Sequence, residues 1–337
     1  MELIEELRRA ILEKLRKGKD PLEGFFTSED VKEGILSVLV AGRHLLLKGP
    51  PGIGKTTAAK IIAGLLPPTK IVRGCRFGCA PQNPVCPDCK GKKNIASLKI
   101  PGNKRFVRVQ GSPELMPEDL VGEIDLVMAM KHGINDPRAF TPGKVHKAHR
   151  KILFIDELNR IPERTQSTLL QVLEEGMMTI AGFDLEVNVD TLVIATINPE
   201  ESAGAERVSD TLRDRFEVIR IGYPTRKQEI EILKRYGRRI GDVEITEDVM
   251  EKSVNIARSA RSQEDVDYPV TVRTTLSIFE QAQAIAKLHN SSVVRDKDVE
   301  KAARIALNGR LSLSAGSRYY DDQTLLIEKI IETTRES

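Results

Sequence analysis

No apolar stretch in this 337-residue sequence approaches the roughly 20 residues that a membrane-spanning helix needs; the longest, such as 35–42, fall far short. Neither sign of charge dominates. With 52 basic and 49 acidic residues the net charge is +3, so no general affinity for polyanions follows. The start of the chain, with Glu2, Glu5 and Glu6, lacks the basic region that opens a secretory signal peptide. Leu3, Leu7, Ile11 and Leu15 fall there at helical spacing instead. No repeat and no low-complexity tract is present, which excludes a solenoid or a disordered tail. Cysteine is scarce, and all four lie between 75 and 89. The remaining composition, 40% hydrophobic and 30% charged, is that of a soluble protein long enough for two domains, and a cytoplasmic location is expected.

Strands and helices alternate through the first two thirds. After an amphipathic helical pattern at the N-terminus and a second at 31–41, His44–Lys48 reads as a short strand, followed by a helix over 55–66 that Pro67 and Pro68 stop. Further strands are expected at Phe106–Gln110, 151–157, Thr191–Ile197 and 218–221, with a helix at Glu163–Glu175 closed by Gly176. Met177–Ile180 and 185–189 read as a hairpin around Ala181, Gly182, Phe183 and Asp184. The stretch up to Gly143, punctuated by Gly and Pro, resists assignment. From about 225 the pattern is helical, with helices at 227–236, 247–260, 272–289, 296–308 and 322–334. In the third, Leu276, Phe279, Ala282 and Ile285 form the inward stripe. The expectation is an α/β domain with a parallel sheet covered by helices, at 1–222, and a small helical domain at 223–337.

Gly49, Pro50, Pro51, Gly52, Ile53, Gly54, Lys55 and Thr56 have the spacing G-x-x-x-x-G-K-[ST], with Thr57 following. Such glycines let backbone N–H groups close around phosphate oxygens, while Lys55 can reach the β- and γ-phosphates and the Thr56 hydroxyl can sit on Mg²⁺. The spacing alone also occurs in loops that hold no nucleotide. Downstream, however, 151–157 is a buried-strand pattern that delivers Asp156 and Glu157 to the carboxyl edge of a sheet, where ligands of open α/β sheets bind. Together the two segments describe a nucleotide-hydrolysing site that uses ATP. Asp156 is suited to the Mg²⁺ environment and Glu157 to orienting or deprotonating the attacking water; the bland alternative for Glu157 is an exposed acid at a strand end. Asn198 closes the next apolar strand and is either an amide that bonds the water and the γ-phosphate or a turn residue before Pro199. Arg213 and Arg215 precede another strand. They either stabilise charge on phosphate oxygens, in cis or from a neighbouring subunit, or pair locally with Asp210 and Asp214.

These pieces, in this order, resemble the AAA+ ATPases over about residues 20–310. The resemblance makes Gly49 to Thr56 Walker A, 152–157 Walker B, Asn198 the sensor-1 residue, Arg215 the arginine finger with Arg213 as neighbour, and Arg273 sensor 2. Segments 117–126, 139–144 and 148–159, with Asn198, Pro199, Glu200 and Glu201, resemble the magnesium-chelatase ATPase subunit and its relatives. They make 112–145 a helix-2 insert and 177–189 the hairpin before sensor 1. MoxR-type chaperone ATPases share both features, and the Walker A residues here are closer to the MoxR form. No von Willebrand A-type domain is recognisable in the sequence. The resemblance implies a homo-oligomeric ring, usually a hexamer, in which Arg215 completes a neighbour's ATP site. It also implies a helical lid whose Arg273 senses the γ-phosphate, and a partner protein of the von Willebrand A or chelatase type.

The cysteines follow C-x3-C-x6-C-x2-C at Cys75, Cys79, Cys86 and Cys89, within an insert at about 70–95. Four thiolates so grouped can surround structural Zn²⁺. An iron–sulfur cluster, disulfides and unliganded thiols are the alternatives, and a reducing compartment disfavours disulfides. Residues 90–108 add seven basic residues and no acid. Only Phe106 is aromatic there, so a stacking platform for nucleic acid is missing. A solvated face is the expectation, with an acidic partner or the ring pore as alternatives.

Overall fold

The computed structural model describes residues 2–92, 94–134, 136, 139–180, 185–199 and 208–335. The expected hairpin turn at Ala181, Gly182, Phe183 and Asp184, and the motif residues Glu200 and Glu201, lie outside the described residues. The chain forms two compact units. The first comprises Met1–Phe25, Glu29–Gly49 and Gly54–Ile221, and the second Phe26–Ser28, Pro50–Ile53 and Gly222–Ser337.

The first unit opens with α1 (Glu2–Arg16) and α2 (Glu29–Ala41), then β1 (His44–Lys48) and α3 (Lys55–Leu65). An antiparallel pair follows, β2 (Thr69–Val72) and β3 (Ser97–Ile100), with the cysteine segment between them. Next come β4 (Phe106–Gln110), α4 (Pro117–Val121), β5 (Gly122–Ile124), α5 (Leu126–His132), β6 (Phe140–Pro142) and α6 (Lys144–Lys147). The stretch that resisted assignment is thus a β5–β6 hairpin with α5 in its connection, too short and too glycine-punctuated for a periodic signal. Then follow β7 (Lys151–Asp156), α7 (Glu163–Glu175), β8 (Met177–Ile180), β9 (Leu185–Asn188), β10 (Thr191–Ile197), α8 (Asp210–Arg213) and β11 (Phe216–Arg220).

Five strands make one parallel sheet in the order β11-β1-β10-β7-β4. Leu45, Leu46, Leu47, Ile152, Leu153, Phe154 and Ile155 are buried, as expected of strands covered on both faces. Full burial of each such side chain is worth about 1.5–3 kcal/mol. Register sets the site. Gln110 lies beside Asp156, and Lys48 beside Ile197, so the carboxyl ends of β4, β7, β10 and β1 form one edge. In α1, Leu3, Leu7 and Ile11 are buried, but Leu15 is exposed, correcting the expected stripe at its last position.

The second unit holds α9 (Arg226–Tyr236), α10 (Glu247–Arg261), β12 (Val266–Tyr268), α11 (Val272–Leu288), α12 (Asp296–Leu307), β13 (Ser312–Leu313) and α13 (Gln323–Thr333). A two-stranded ribbon, β12–β13, accompanies the helices. Thr225, Thr246 and Thr271 cap α9, α10 and α11 with their side chains. Alanines at 257, 282, 303 and 306 bring α10, α11 and α12 together around Ile256, Ile278 and Val299. Of the expected inward stripe of α11, Phe279, Ala282 and Ile285 are buried, but Leu276 is only half-buried, and Ile278 and Ala286 join the buried face. Glu229 is fully buried, with its charge met by Arg258 at 2.9 Å, Arg261 at 2.8 Å and the Thr275 hydroxyl at 3.1 Å.

Candidate nucleotide site and cysteine cluster

At the carboxyl edge, α3 begins at Lys55 because Gly54 adopts φ 93°, a left-handed turn that a side chain would strain. The turn carries the Lys55 side chain inward, where it is 7% exposed. Its Nζ donates to the Gly49 carbonyl and to Asn198 Oδ1, each at 2.5 Å. Asn198 Nδ2 in turn donates to Glu157 Oε1 at 3.3 Å. The Thr56 hydroxyl donates to Asp156 Oδ2 at 3.4 Å. Five sequence-expected residues, Lys55, Thr56, Asp156, Glu157 and Asn198, are therefore brought together from β1–α3, β7 and β10. Glu157 itself sits at φ 58°, unusual for a residue with a side chain, a strain of the order of 1–3 kcal/mol that ends the strand alternation beside the acids.

Four further side chains join this group without having been singled out from sequence. Thr196 Oγ1 donates to Asp156 Oδ1 at 2.8 Å and accepts from the Glu157 amide at 2.9 Å, fixing both acids. Arg108 Nη2 lies 2.6 Å from Asp156 Oδ2, and Gln110 Nε2 donates to Glu157 Oε2 at 3.1 Å. Arg160 Nη1 is 3.4 Å from the same Glu157 oxygen. A signal existed for three of them. Thr196 shares a strand face with Asn198 by two-residue periodicity, as Arg108 does with Gln110, but only the strand order puts those faces beside β7.

In the second unit, Gly52 adopts φ 73° and approaches Thr271 so closely that a Cβ would stand 2.7 Å from the Thr271 Cβ. Thr271 also accepts from the Arg273 amide at 3.2 Å, and the Arg273 side chain is exposed.

Arg215 lies elsewhere. It precedes β11, at the amino edge of the sheet, and pairs with Glu174 at the end of α7 rather than with Asp210 or Asp214. Its Nε–Oε1 distance is 2.7 Å. Arg213 pairs with Asp210 at 3.0 Å. A strand of five residues such as β11 spans on the order of 15 Å, so Arg215 and the acids of β7 occupy opposite ends of one sheet.

The basic run at 90–108 departs from the expected solvated face at two arginines. Arg108 is bound to Asp156, and Arg105 is fully buried, 2.6 Å from Glu6 Oε2 and donating to the carbonyls of Arg150 at 2.9 Å and Pro67 at 3.1 Å. A buried guanidinium needs those partners to offset its lost hydration.

The four cysteine sulfurs lie within 4.8 Å of one another, three of the residues being buried, and none is in a disulfide. Cys75 Sγ and Cys86 Sγ are 3.7 Å apart. Sulfurs at the corners of a tetrahedron with about 2.3 Å metal–sulfur bonds are about 3.8 Å apart, so the spacing fits a four-thiolate metal site. Asp88, between Cys86 and Cys89, pairs with Arg76 at 2.8 Å.

Comparison with known proteins bears on the family and the fold. Family models match in three consecutive parts: magnesium chelatase, subunit ChlI, over 26–73; ATPase family associated with various cellular activities (AAA) over 89–218; and the MCM AAA-lid domain over 232–309. A magnesium-chelatase subunit ChlI homolog of Methanocaldococcus jannaschii is 27% identical over 296 residues, covering 79% of this chain and 78% of the relative. Chaperone MoxR1 of Mycobacterium tuberculosis is 29% identical over 237 residues, covering 69% of this chain and 49% of the relative. In fold, the chain is similar to one in the cryo-EM-based complex between subunits BchI and BchD of magnesium chelatase, with TM-score 0.51, 22% identity, and coverage of 88% of this chain and 97% of that one. No helix among the described residues is long and apolar enough to cross a membrane. With the phosphate loop, the paired acids and the helical lid each falling within one of these matched models, the chain belongs to the AAA+ ATPases, as a relative of the magnesium-chelatase ATPase subunit and of the MoxR-like group.

Proposed function

We propose that this AAA+ ATPase is a ring-forming motor that couples hydrolysis of Mg·ATP to remodelling a partner protein, as the ATPase subunit of a chelatase-like complex. The observation that carries the proposal is the continuous chain of contacts from the Lys55 amine through Asn198 to Glu157, beside Thr56 and Asp156. In this reading the backbone from Gly49 through Pro50, Pro51, Gly52, Ile53 and Gly54 to Thr57 cradles the phosphates, and Lys55 binds the β- and γ-phosphates. Thr56 and Asp156 would hold Mg²⁺, which when bound neutralises charge on phosphate oxygens. Glu157 orients and deprotonates the attacking water. Asn198 leaves its bond to Lys55 for the γ-phosphate and that water, and Arg273 reads the nucleotide from the start of α11.

Arg215 acts on a neighbouring subunit, a role that its position at the amino edge favours over action on its own phosphates. A ring, hexameric by analogy with the family, follows from that role. Helix α5 in the helix-2 insert buries none of its residues and exposes Leu126, Val127 and Met130, which suits it to grip a partner. That partner is of the von Willebrand A or chelatase type; nucleic acid is disfavoured because the basic run spends Arg105 in the interior and Arg108 on Asp156. The cysteine cluster holds Zn²⁺ as a structural ion, and a cytoplasmic setting keeps its thiols reduced.

The decisive experiment is Glu157→Gln. ATP affinity should persist while turnover falls about 10²–10⁴-fold; ordinary turnover would mean that another group activates the water. Mixing Arg215→Ala with Lys55→Ala subunits should restore some turnover if the arginine acts across subunits, and confirmed mixed rings without recovery would place it in cis. Turnover raised by a von Willebrand A-type protein supports the motor, and a porphyrin metallation assay separates a chelatase from a MoxR-like chaperone. Stimulation by DNA or RNA, lost with salt, would replace both with a polymer-directed motor.

A further inference from the structure

We propose that the four-cysteine knuckle is a metal-dependent clamp that holds the β5–β6 and β8–β9 inserts against the base of β7. The inference rests on the zinc reading above and extends it from a local staple to a control on the output elements.

The cysteines belong to residues 73–96, a connection between β2 and β3 in which no described residue is in a helix or strand. A loop of that length is ordered only when something else closes it. Its interior is small, and it is shared. Phe77, Cys79, Cys86 and Cys89 form one buried cluster with Val72, with Phe140 of β6 and with Val187 of β9. Each insert therefore stands on two supports. From β8–β9, Met178 enters the main core of the sheet while Val187 enters the knuckle; around β5–β6, Leu120 enters the main core while Phe140 enters the knuckle.

The contacts are specific. Phe77 packs against Phe140 with ring centroids 6.2 Å apart and edge-on to His146 of α6 at 5.1 Å; Phe140 is edge-on to the same buried imidazole at 5.4 Å. Arg76 donates to the Phe140 carbonyl at 2.5 Å while pairing with Asp88 inside the C-x2-C turn. Lys151, the first residue of β7, lies against Gly78, its Nζ 3.4 Å from where a Cβ would stand. A divalent ion held by four thiolates leaves a net charge of about −2 in a mostly buried place, and Arg76 and Lys151 are the cations beside it. Loss of the ion would leave four thiols with no covalent or charge-based reason to stay together, and each insert would keep only its support in the main core.

The test uses the intact protein and hydrogen exchange read by mass spectrometry. As purified it should carry about one zinc per chain, replaceable by Co²⁺ with the absorption of a tetrathiolate site. Stripping the metal with a thiol reagent and chelator should speed exchange in β6 and β9 about tenfold or more, with β1 and β10 unchanged, and readdition should reverse it. ATP affinity should change by less than about twofold, since no ligand of the phosphate site touches the knuckle. Phe77→Ala keeps all four ligands, so zinc should remain while β6 exchanges faster. If zinc is bound but stripping leaves β6 and β9 unchanged, the clamp is wrong and the zinc site stands. If exchange rises equally through β1 and β10, the ion is a general fold staple and the clamp is again wrong. If neither zinc nor Co²⁺ binds, the site and the clamp fall together.

Discussion

The two edges of the five-stranded sheet handle charge in opposite ways. At the amino edge, Arg105, Arg150, Asp190 and Arg215 each stand immediately before a strand. The first three are tied down: Arg105 to Glu6, Arg150 to the Lys70 carbonyl at 2.9 Å and the Thr69 hydroxyl at 2.6 Å, and Asp190 to the Leu3 amide at 2.9 Å, so that α1 is fastened across that edge. At the carboxyl edge, Lys55 bonds to Asn198, Asn198 to Glu157, and Thr56 to Asp156, contacts that in the proposed reading a phosphate, a water and a metal ion would replace. Fixed pairs fold the domain, and exchangeable pairs leave it something to do. Arg215 is the exception at the amino edge, because its partner Glu174 is itself a surface residue and the pair is solvent-accessible.

That exception gives the largest expected effect. Arg215→Ala should lower ATP turnover about 10³-fold in the assembled protein, the scale of an arginine that stabilises transferred phosphate. Its exposed pair with Glu174 is worth less than about 1 kcal/mol, so the denaturation midpoint should barely move. A variant that loses stability and keeps its turnover would make Arg215 one more fixed charge and erase the distinction. Arg105→Met should do the reverse. It strands Glu6 and should cost about 3–5 kcal/mol in unfolding free energy, measured by denaturant titration, while nucleotide affinity stays the same.

Acid should find the fixed edge as well. Burial, with the neighbouring Arg43, lowers the pKa of His44 at the start of β1 to about 4, and burial, with the neighbouring Arg150, does the same for His149. Each ring accepts an amide hydrogen bond at 3.1 Å, His44 from Val193 and His149 from Asp190. Between that value and the ordinary histidine pKa of about 6.5 the unfolded chain binds more protons, so stability is full above about pH 6.5 and falls as pH drops towards 4. The slope should reach about 1.4 kcal/mol per pH unit for each histidine, and His149→Asn should flatten it. A flat profile across that window would show that the rings are already charged in the folded protein.

How much of this was legible beforehand follows the same division. The phosphate loop and the apolar strand ending in Asp156 and Glu157 are local patterns, and β1, β7 and β10 can be read from sequence because burial on both faces leaves an apolar run. Arg105 and Arg108 could not be read. On a sequence they are two members of a basic stretch, and only the neighbouring strand and α1 make one a buried anchor and the other a partner of Asp156. The β5–β6 and β2–β3 hairpins were equally hidden, with strands of three and four residues whose pairing is decided by what they pack on. The cysteine spacing pointed to grouped thiols able to hold a metal, yet nothing in it announced Phe140 and Val187 as their neighbours.

The smallest expected effect tests whether the carboxyl edge really is exchangeable. Asp156 Oδ1 is occupied by Thr196, and the oxygen facing Thr56, Oδ2, is shared between the Thr56 hydroxyl at 3.4 Å and Arg108 at 2.6 Å. For Thr56 and Asp156 to serve one Mg²⁺, the guanidinium has to give up that oxygen. Arg108 is 48% exposed, so the pair is worth at most about 1 kcal/mol, and its removal can tighten Mg²⁺-dependent nucleotide binding by at most about fivefold. Arg108→Gln, titrated with Mg²⁺ at fixed ATP, should therefore show a gain of a few-fold. A loss instead of a gain would mean that Arg108 lends its charge to the phosphates, and a gain well beyond fivefold would mean that this pair is as firmly held as those at the opposite edge.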